Sequence, residues 1–162
     1  MEYLDLYEKF EERGKYLLYH YTSLDNIEKI ILDGYIKGHL GSVLDDDHGH
    51  TISLTRDEKY HDKKHDIDTD CRIVIKGYSL KNNYRVYGII DRGYESELKR
   101  SLIKKGFSDK EAELMSSENQ EVVISNKLYL KDYILCIDFF ENPGKKLINI
   151  MKSKNIAFNI LN

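Results

Sequence analysis

A chain of 162 residues suits a single domain, here residues 1–162, and one domain of that size buries roughly 70% of its unfolded surface, so the core needs no disulfide or metal staples. Its 25 Lys and Arg and 28 Asp and Glu residues leave a net charge of -3, spread along the chain. That balance excludes the basic footprint of a protein held to nucleic acid by charge, though not a nucleic acid as substrate.

No apolar run approaches the roughly 20 residues of a membrane span, and the opening MEYLDLYEKFEERGK is charged rather than signal-like. Cys71 and Cys136 each sit in an apolar run and read as small core residues. The expectation is a reduced, cytoplasmic protein, monomeric and without a membrane partner.

In chain order, Tyr3, Leu6, Tyr7 and Phe10 fall at helical spacing and predict a short amphipathic helix over 2–13. Residues 16–21 predict a strand. Thr22 and Asp25 form an [ST]-x-x-[DE] pair, a helix start whose side chains satisfy free N-terminal amides. Ile27, Ile30 and Ile31 then line one face, and Gly34 ends the helix. From Gly38 to Thr51 the composition turns to Gly, Asp and His, a long loop. TISLTR, 51–56, alternates like a half-buried strand, and 57–70 is charged and irregular.

CRIVIKG and YRVYGII predict strands on either side of YSLKNN, read as a turn on Asn82 and Asn83. Residues 94–105 and 108–116 predict helices parted at Gly106. EVVIS and YILCIDFF predict two more strands, and a helix over 145–153 leads to a short strand, IAFNI. Helices early, antiparallel-looking strands late and no βαβ rhythm make the fold class α+β.

His20 stands where a strand hands over to a helix, either as a satisfied turn histidine or as a ligand contact at a strand end. His48 and His50 alternate, and His61 and His65 are four apart, so either pair could hold one ion. Both lie in polar, irregular segments without a metal motif of known mechanics, and the expectation is no metal. Glu118 and Glu121 flank the start of an apolar strand, where a partly desolvated carboxylate gains leverage over a developing positive charge. Arg56 closes TISLTR and either binds phosphate as a planar fork or faces water. Neither cysteine has a nucleophile signature, and no G-x-S-x-G occurs.

Three blocks, LYHYTSLDNIEKIILDGYIKG, TISLTRDEKY and QEVVISNKLYLKDYILCIDF, taken in order, resemble the ADP-ribosyltransferase-like superfamily. The resemblance is to the small branch near the DNA-targeting ADP-ribosyltransferase toxins and the RNA 2'-phosphotransferases. There a first strand ends in tyrosine-histidine-x-threonine, here Tyr19, His20, Tyr21 and Thr22, before an NIxxIIxxG-type helix. A second strand carries Ser or Thr and an arginine, here Ser53, Thr55 and Arg56. A late strand opens with the catalytic glutamate, here Glu121 before Val122, Val123 and Ile124.

The resemblance implies a split, two-sheet antiparallel fold and NAD as substrate. Glu121 and Arg56 would be catalytic, and His20, Tyr21, Thr22, Ser53 and Thr55 would bind NAD. It implies transfer of ADP-ribose to a protein, DNA or RNA acceptor by a toxin or phage effector. The rivals are removal of an RNA 2'-phosphate and an inactive fold serving as a binding module. Arginine-modifying relatives carry a second carboxylate two residues before the catalytic one; this chain has Asn119 there, which leaves the acceptor open.

Overall fold

The computed structural model describes residues 16–40, 49–58, 60, 69–89, 92–116 and 120–161. The helix expected over 2–13 lies outside them, as do His48, His61, His65, Glu118 and Asn119. Nine strands are described: β1 (Leu17–Thr22), β2 (Tyr35–Lys37), β3 (Thr51–Thr55), β4 (Cys71–Lys76), β5 (Arg85–Ile89), β6 (Gln120–Ile124), β7 (Lys127–Tyr129), β8 (Ile134–Phe139) and β9 (Phe158–Ile160). The helices are α1 (Leu24–Asp33), α2 (Gly77–Asn83), α3 (Arg92–Lys104), α4 (Asp109–Ser116) and α5 (Gly144–Ser153). Among the described residues, no helix is long and apolar enough to cross a membrane.

Seven strands form one sheet in the order β5-β6-β3-β1-β4-β8-β9, and β2 pairs with β7 in a separate ribbon. All pairings are antiparallel except β8–β9. The architecture is the expected mixed α+β with a mostly antiparallel sheet. One joint differs from the rest. β1 is paired with β4 from Leu17↔Lys76 to Thr22↔Cys71, but with β3 only at Tyr19↔Thr55. The sheet therefore has a narrow waist between β5-β6-β3 and β1-β4-β8-β9.

Period-two alternation gives each face its own core. Leu18, Ile52, Leu54, Ile73, Ile75, Val123, Ile137 and Phe139 lie in the main core with Ile27 and Ile31 of α1, Leu80 of α2 and Leu147 and Met151 of α5. Tyr19, Tyr21, Val74 and Cys136 lie on the opposite face with Tyr60. Both cysteines are buried and in no disulfide, and burial raises the Cys71 thiol to about 12, so it packs as a small, protonated core residue. Isoleucine is a mediocre helix former, at a cost of a few tenths of a kcal/mol. Burying Ile27 and Ile31 contributes roughly 1.5–3 kcal/mol each, so packing decides that α1 forms.

Four sequence expectations need correction. The cap of α1 is Ser23, whose Oγ accepts from Asn26 N at 3.2 Å, not the Thr22–Asp25 pair. Thr22 is still in β1, opposite Cys71, and its backbone is extended by that pairing. YSLKNN is not a turn but most of α2, because Leu80 is drawn wholly into the main core. β8–α5–β9 is a βαβ unit, with the returning strand parallel. The β2–β7 ribbon went unforeseen, since three-residue strands are too short for alternation to show. Gly34 does end α1, at φ 78° with its N–H on Ile30 O.

Candidate active site

Glu121 is the second residue of β6, directly opposite Leu54 of β3. Opposed residues share a face, and Leu54 and the next same-face residue, Val123, both point into the main core. The strand register thus carries a carboxylate to the core's edge, where it is only 3% exposed. A buried carboxylate needs partners, and two cations supply them. Arg56, just past β3, places Nε 3.4 Å from Oε1, and Lys81 of α2 places Nζ 3.5 Å from Oε2. The two side chains are 51% and 43% exposed, so the cations stay half in water while the anion does not.

Tyr16 completes the cluster. Lys81 Nζ sits 4.2 Å from its ring centroid, and Tyr78 lies 5.8 Å away, tilted. Burial, then the adjoining Glu121 carboxylate, raises its phenol above the usual range, so Tyr16 keeps its proton. Gly77 is what lets Tyr16 sit there. Its N–H donates to Tyr16 O at 2.8 Å, and a Cβ at that position would overlap the Tyr16 ring.

His20 shares this face, next along β1 from Tyr19, the residue paired with Thr55 at the waist. Its Nδ1 lies 3.0 Å from Ser53 O. A carbonyl only accepts, so Nδ1 carries the proton and neutral His20 offers Nε2 as an acceptor. Although the residue as a whole is half-buried, its ring is deep enough that burial holds the pKa below 6.5, against the opposing Ser53 bond. The unfolded chain therefore takes up this proton more readily than the folded one. The stabilisation is complete above about pH 6.5 and is lost as pH falls through the folded value. The Tm of wild type is expected to fall more steeply below pH 6.5 than that of His20→Gln, which has no such proton to gain. Parallel profiles would show that the ring charges freely in the folded state.

The other sequence-predicted residues divide by face. Thr22 follows His20 by two and lies on its side, buried. Tyr21 points to the opposite face. Its hydroxyl donates to Glu58 O at 2.9 Å and accepts from Arg72 Nη1 at 3.0 Å, and burial pushes it up to about 12. Ser53 bonds His20 through its carbonyl oxygen, and Thr55 Oγ1 accepts from Asp57 N at 3.0 Å, shaping the bend after Arg56. His20, Arg56 and Glu121 thus share one face of the sheet. Tyr21 and Thr55 brace the segment after β3 from behind. His50 is described, and among the described residues no group of three metal-ligating side chains occurs.

Sequence reasoning missed Tyr16 and Lys81. Tyr16 was findable: 16, 18 and 20 alternate onto one side of a strand. Lys81 gave no signal while its segment read as a turn.

No protein-family model matches the chain, and no curated protein matches it in sequence. Two solved structures do match it in fold, those of Thermus sp. 2.9 DarT in complex with carba-NAD+ and in complex with NAD+. Each has a TM-score of 0.53 and covers 91% of this chain and 96% of that one, at 12% and 11% identity. The resemblance read from the three sequence blocks points to the same place. The chain has the fold of Thermus sp. 2.9 DarT.

Proposed function

We propose that this chain cleaves NAD between nicotinamide and ribose and transfers the ADP-ribose to a macromolecular acceptor. The observation that carries the reading is the buried Glu121 carboxylate, held by Arg56 on the face that His20 shares, in a fold also solved with NAD+ bound. Cleavage leaves the bonding pair on nicotinamide and positive charge on the ribose, which a fixed, desolvated carboxylate stabilises, as in glycoside hydrolysis. The acceptor's nucleophile then bonds to the ribose carbon and gives up its proton.

In this reading Glu121 faces the developing charge and holds the ribose 2'-hydroxyl. His20, neutral and protonated on Nδ1, accepts a hydrogen bond from a ribose hydroxyl at Nε2. Arg56 is exposed enough to swing toward the pyrophosphate, where its planar fork engages two oxygens. Ser53, Thr55, Thr22 and Tyr21 set the backbone on which His20 and Arg56 stand. Residues 1–162 would form one transferase domain, acting as a toxin or phage effector in the cytoplasm.

The test is nicotinamide release from NAD, with and without nucleic acid or protein from a cell lysate, alongside calorimetric NAD titration. Wild type is expected to release nicotinamide faster with its acceptor present. His20→Ala should weaken NAD binding by about 1–3 kcal/mol, the cost of an unpaired partner. Arg56→Lys should remain impaired, because a point charge does not replace a fork. A protein that neither binds nor consumes NAD would end this reading.

A further inference from the structure

The two cations on Glu121 meet different oxygens and are themselves held differently. Arg56 Nε is 3.4 Å from Oε1, and Lys81 Nζ is 3.5 Å from Oε2. Arg56 stands past the last paired residue of β3, with its side chain half in water. Lys81 is anchored from below. Its neighbour Leu80 is wholly buried in the main core, and its ammonium lies 4.2 Å from the Tyr16 ring centroid. Gly77, four residues earlier, stands one turn away on the same side of α2 and donates its N–H to Tyr16 O at 2.8 Å. Both contacts tie that side of the helix to Tyr16, so the Lys81 ammonium rests on a ring packed against its own helix.

We propose that Lys81 is a positioning residue, which keeps Glu121 in place by Oε2 while Arg56 leaves Oε1 for the substrate. This rests on the function proposed above, in which Arg56 turns to the pyrophosphate. Once turned, Arg56 no longer balances the carboxylate. Glu121 is 3% exposed, and a buried charge without a counter-charge is costly to keep. Among the described residues, Lys81 is the other cation paired with it. Without that ammonium, Arg56 would stay on the carboxylate, since leaving would strand it. With the ammonium present, the exchange frees Oε1 toward the ribose and leaves the side chain fixed by Oε2. The mobile cation serves the substrate and the anchored one serves the carboxylate.

The test is Lys81→Met, which keeps an unbranched stem on the Tyr16 ring and removes the ammonium, with Lys81→Gln as a second uncharged variant. Because Arg56 then stays on Glu121, NAD affinity by calorimetry is expected to fall about tenfold, the worth of one charged hydrogen bond. The kcat for nicotinamide release should fall about 10- to 10²-fold, the cost of a misplaced catalytic group. Lys81→Arg, which restores a cation, should recover most of both. The deciding background is Glu121→Gln, where no anion needs holding. There Lys81→Met should leave NAD affinity unchanged, closing a double-mutant cycle on the pair. An equal loss of affinity in both backgrounds would overturn the assignment, since Lys81 would then touch NAD itself or merely support the fold. Full affinity and kcat in Lys81→Met, or no recovery in Lys81→Arg, would overturn it too. Where wild type binds NAD, each of those outcomes leaves the proposed function standing; wild type that binds none overturns both.

Discussion

Glu121→Gln is expected to slow nicotinamide release by roughly 10²- to 10³-fold, the usual cost of removing one preorganised electrostatic group. The side chains match in shape, so what is lost is the negative charge. That charge is only 3% exposed, where water screens it least and where it acts most strongly on a cation forming beside it. NAD affinity should change little, because the amide oxygen still accepts from a hydroxyl. Stability should change little too, since Arg56 and Lys81 are half-exposed and water solvates them once their partner is neutral. The measurement is kcat with Tm and NAD affinity on the same preparation. Undiminished turnover would move the chemistry away from β6.

Arg72→Met is expected to destabilise the fold by about 3–5 kcal/mol, the cost of stranding a buried partner charge. Arg72 lies on the opposite face of the sheet from Glu121, with Nε 2.8 Å from Asp138 Oδ2 and both side chains almost wholly buried. Its guanidinium lies 4.7 Å from the Tyr19 ring centroid and 5.4 Å from that of Phe140. Asp138 Oδ1 accepts from Asn159 at 2.9 Å, which does not compensate for a missing cation. At about 2–4 °C per kcal/mol for a chain of this size, the Tm should fall by roughly 10 °C.

Removing the stranded charge as well, in Arg72→Met with Asp138→Leu, should recover part of the loss. Urea unfolding of the two variants decides it, and a double variant no better than the single one would refute the buried-pair account. Arg72 Nη1 also bonds the Glu58 carbonyl and the Tyr21 hydroxyl, the anchors of the segment just past Arg56. The single variant should therefore bind NAD more weakly even where it is folded.

Much of the first half of the site could be read from residue order. Strand alternation through His20, a capped helix and a closing Gly34 are local features, and local features leave local marks. The cap moved from Thr22 to Ser23 because β4 holds Thr22 in the sheet, a tertiary fact invisible to a four-residue pattern. Glu121 before three apolar residues could be seen as a desolvated carboxylate. That Leu54 would stand opposite it, bringing Arg56 within 3.4 Å, depends on register between distant strands. Lys81 was lost for a related reason. A seven-residue helix containing two asparagines has weak intrinsic propensity, and only the burial of Leu80 makes it a helix. Tyr21 entered the expected NAD site through the family resemblance; alternation along β1 puts it on the face opposite His20, and the partners of its hydroxyl, Glu58 O and Arg72, could not be read from residue order.

The narrow waist between β1 and β3 also bears on the order in which the molecule can be assembled. Each side of it is a sheet joined by strands far apart in the chain, β3 with β6 and β1 with β4 and β8. Such non-local pairings close slowly, because loop entropy must be lost before any contact rewards it. During synthesis the β1 side can begin to close once β4 has emerged, but β3 keeps an unpaired edge until Glu121 and its neighbours follow. His20 and Arg56 are therefore made early and wait, and the carboxylate that would complete the site arrives with the strand that seals that edge. A nascent chain would carry the binding half of its chemistry without the half that breaks a bond, so competence would come with completion.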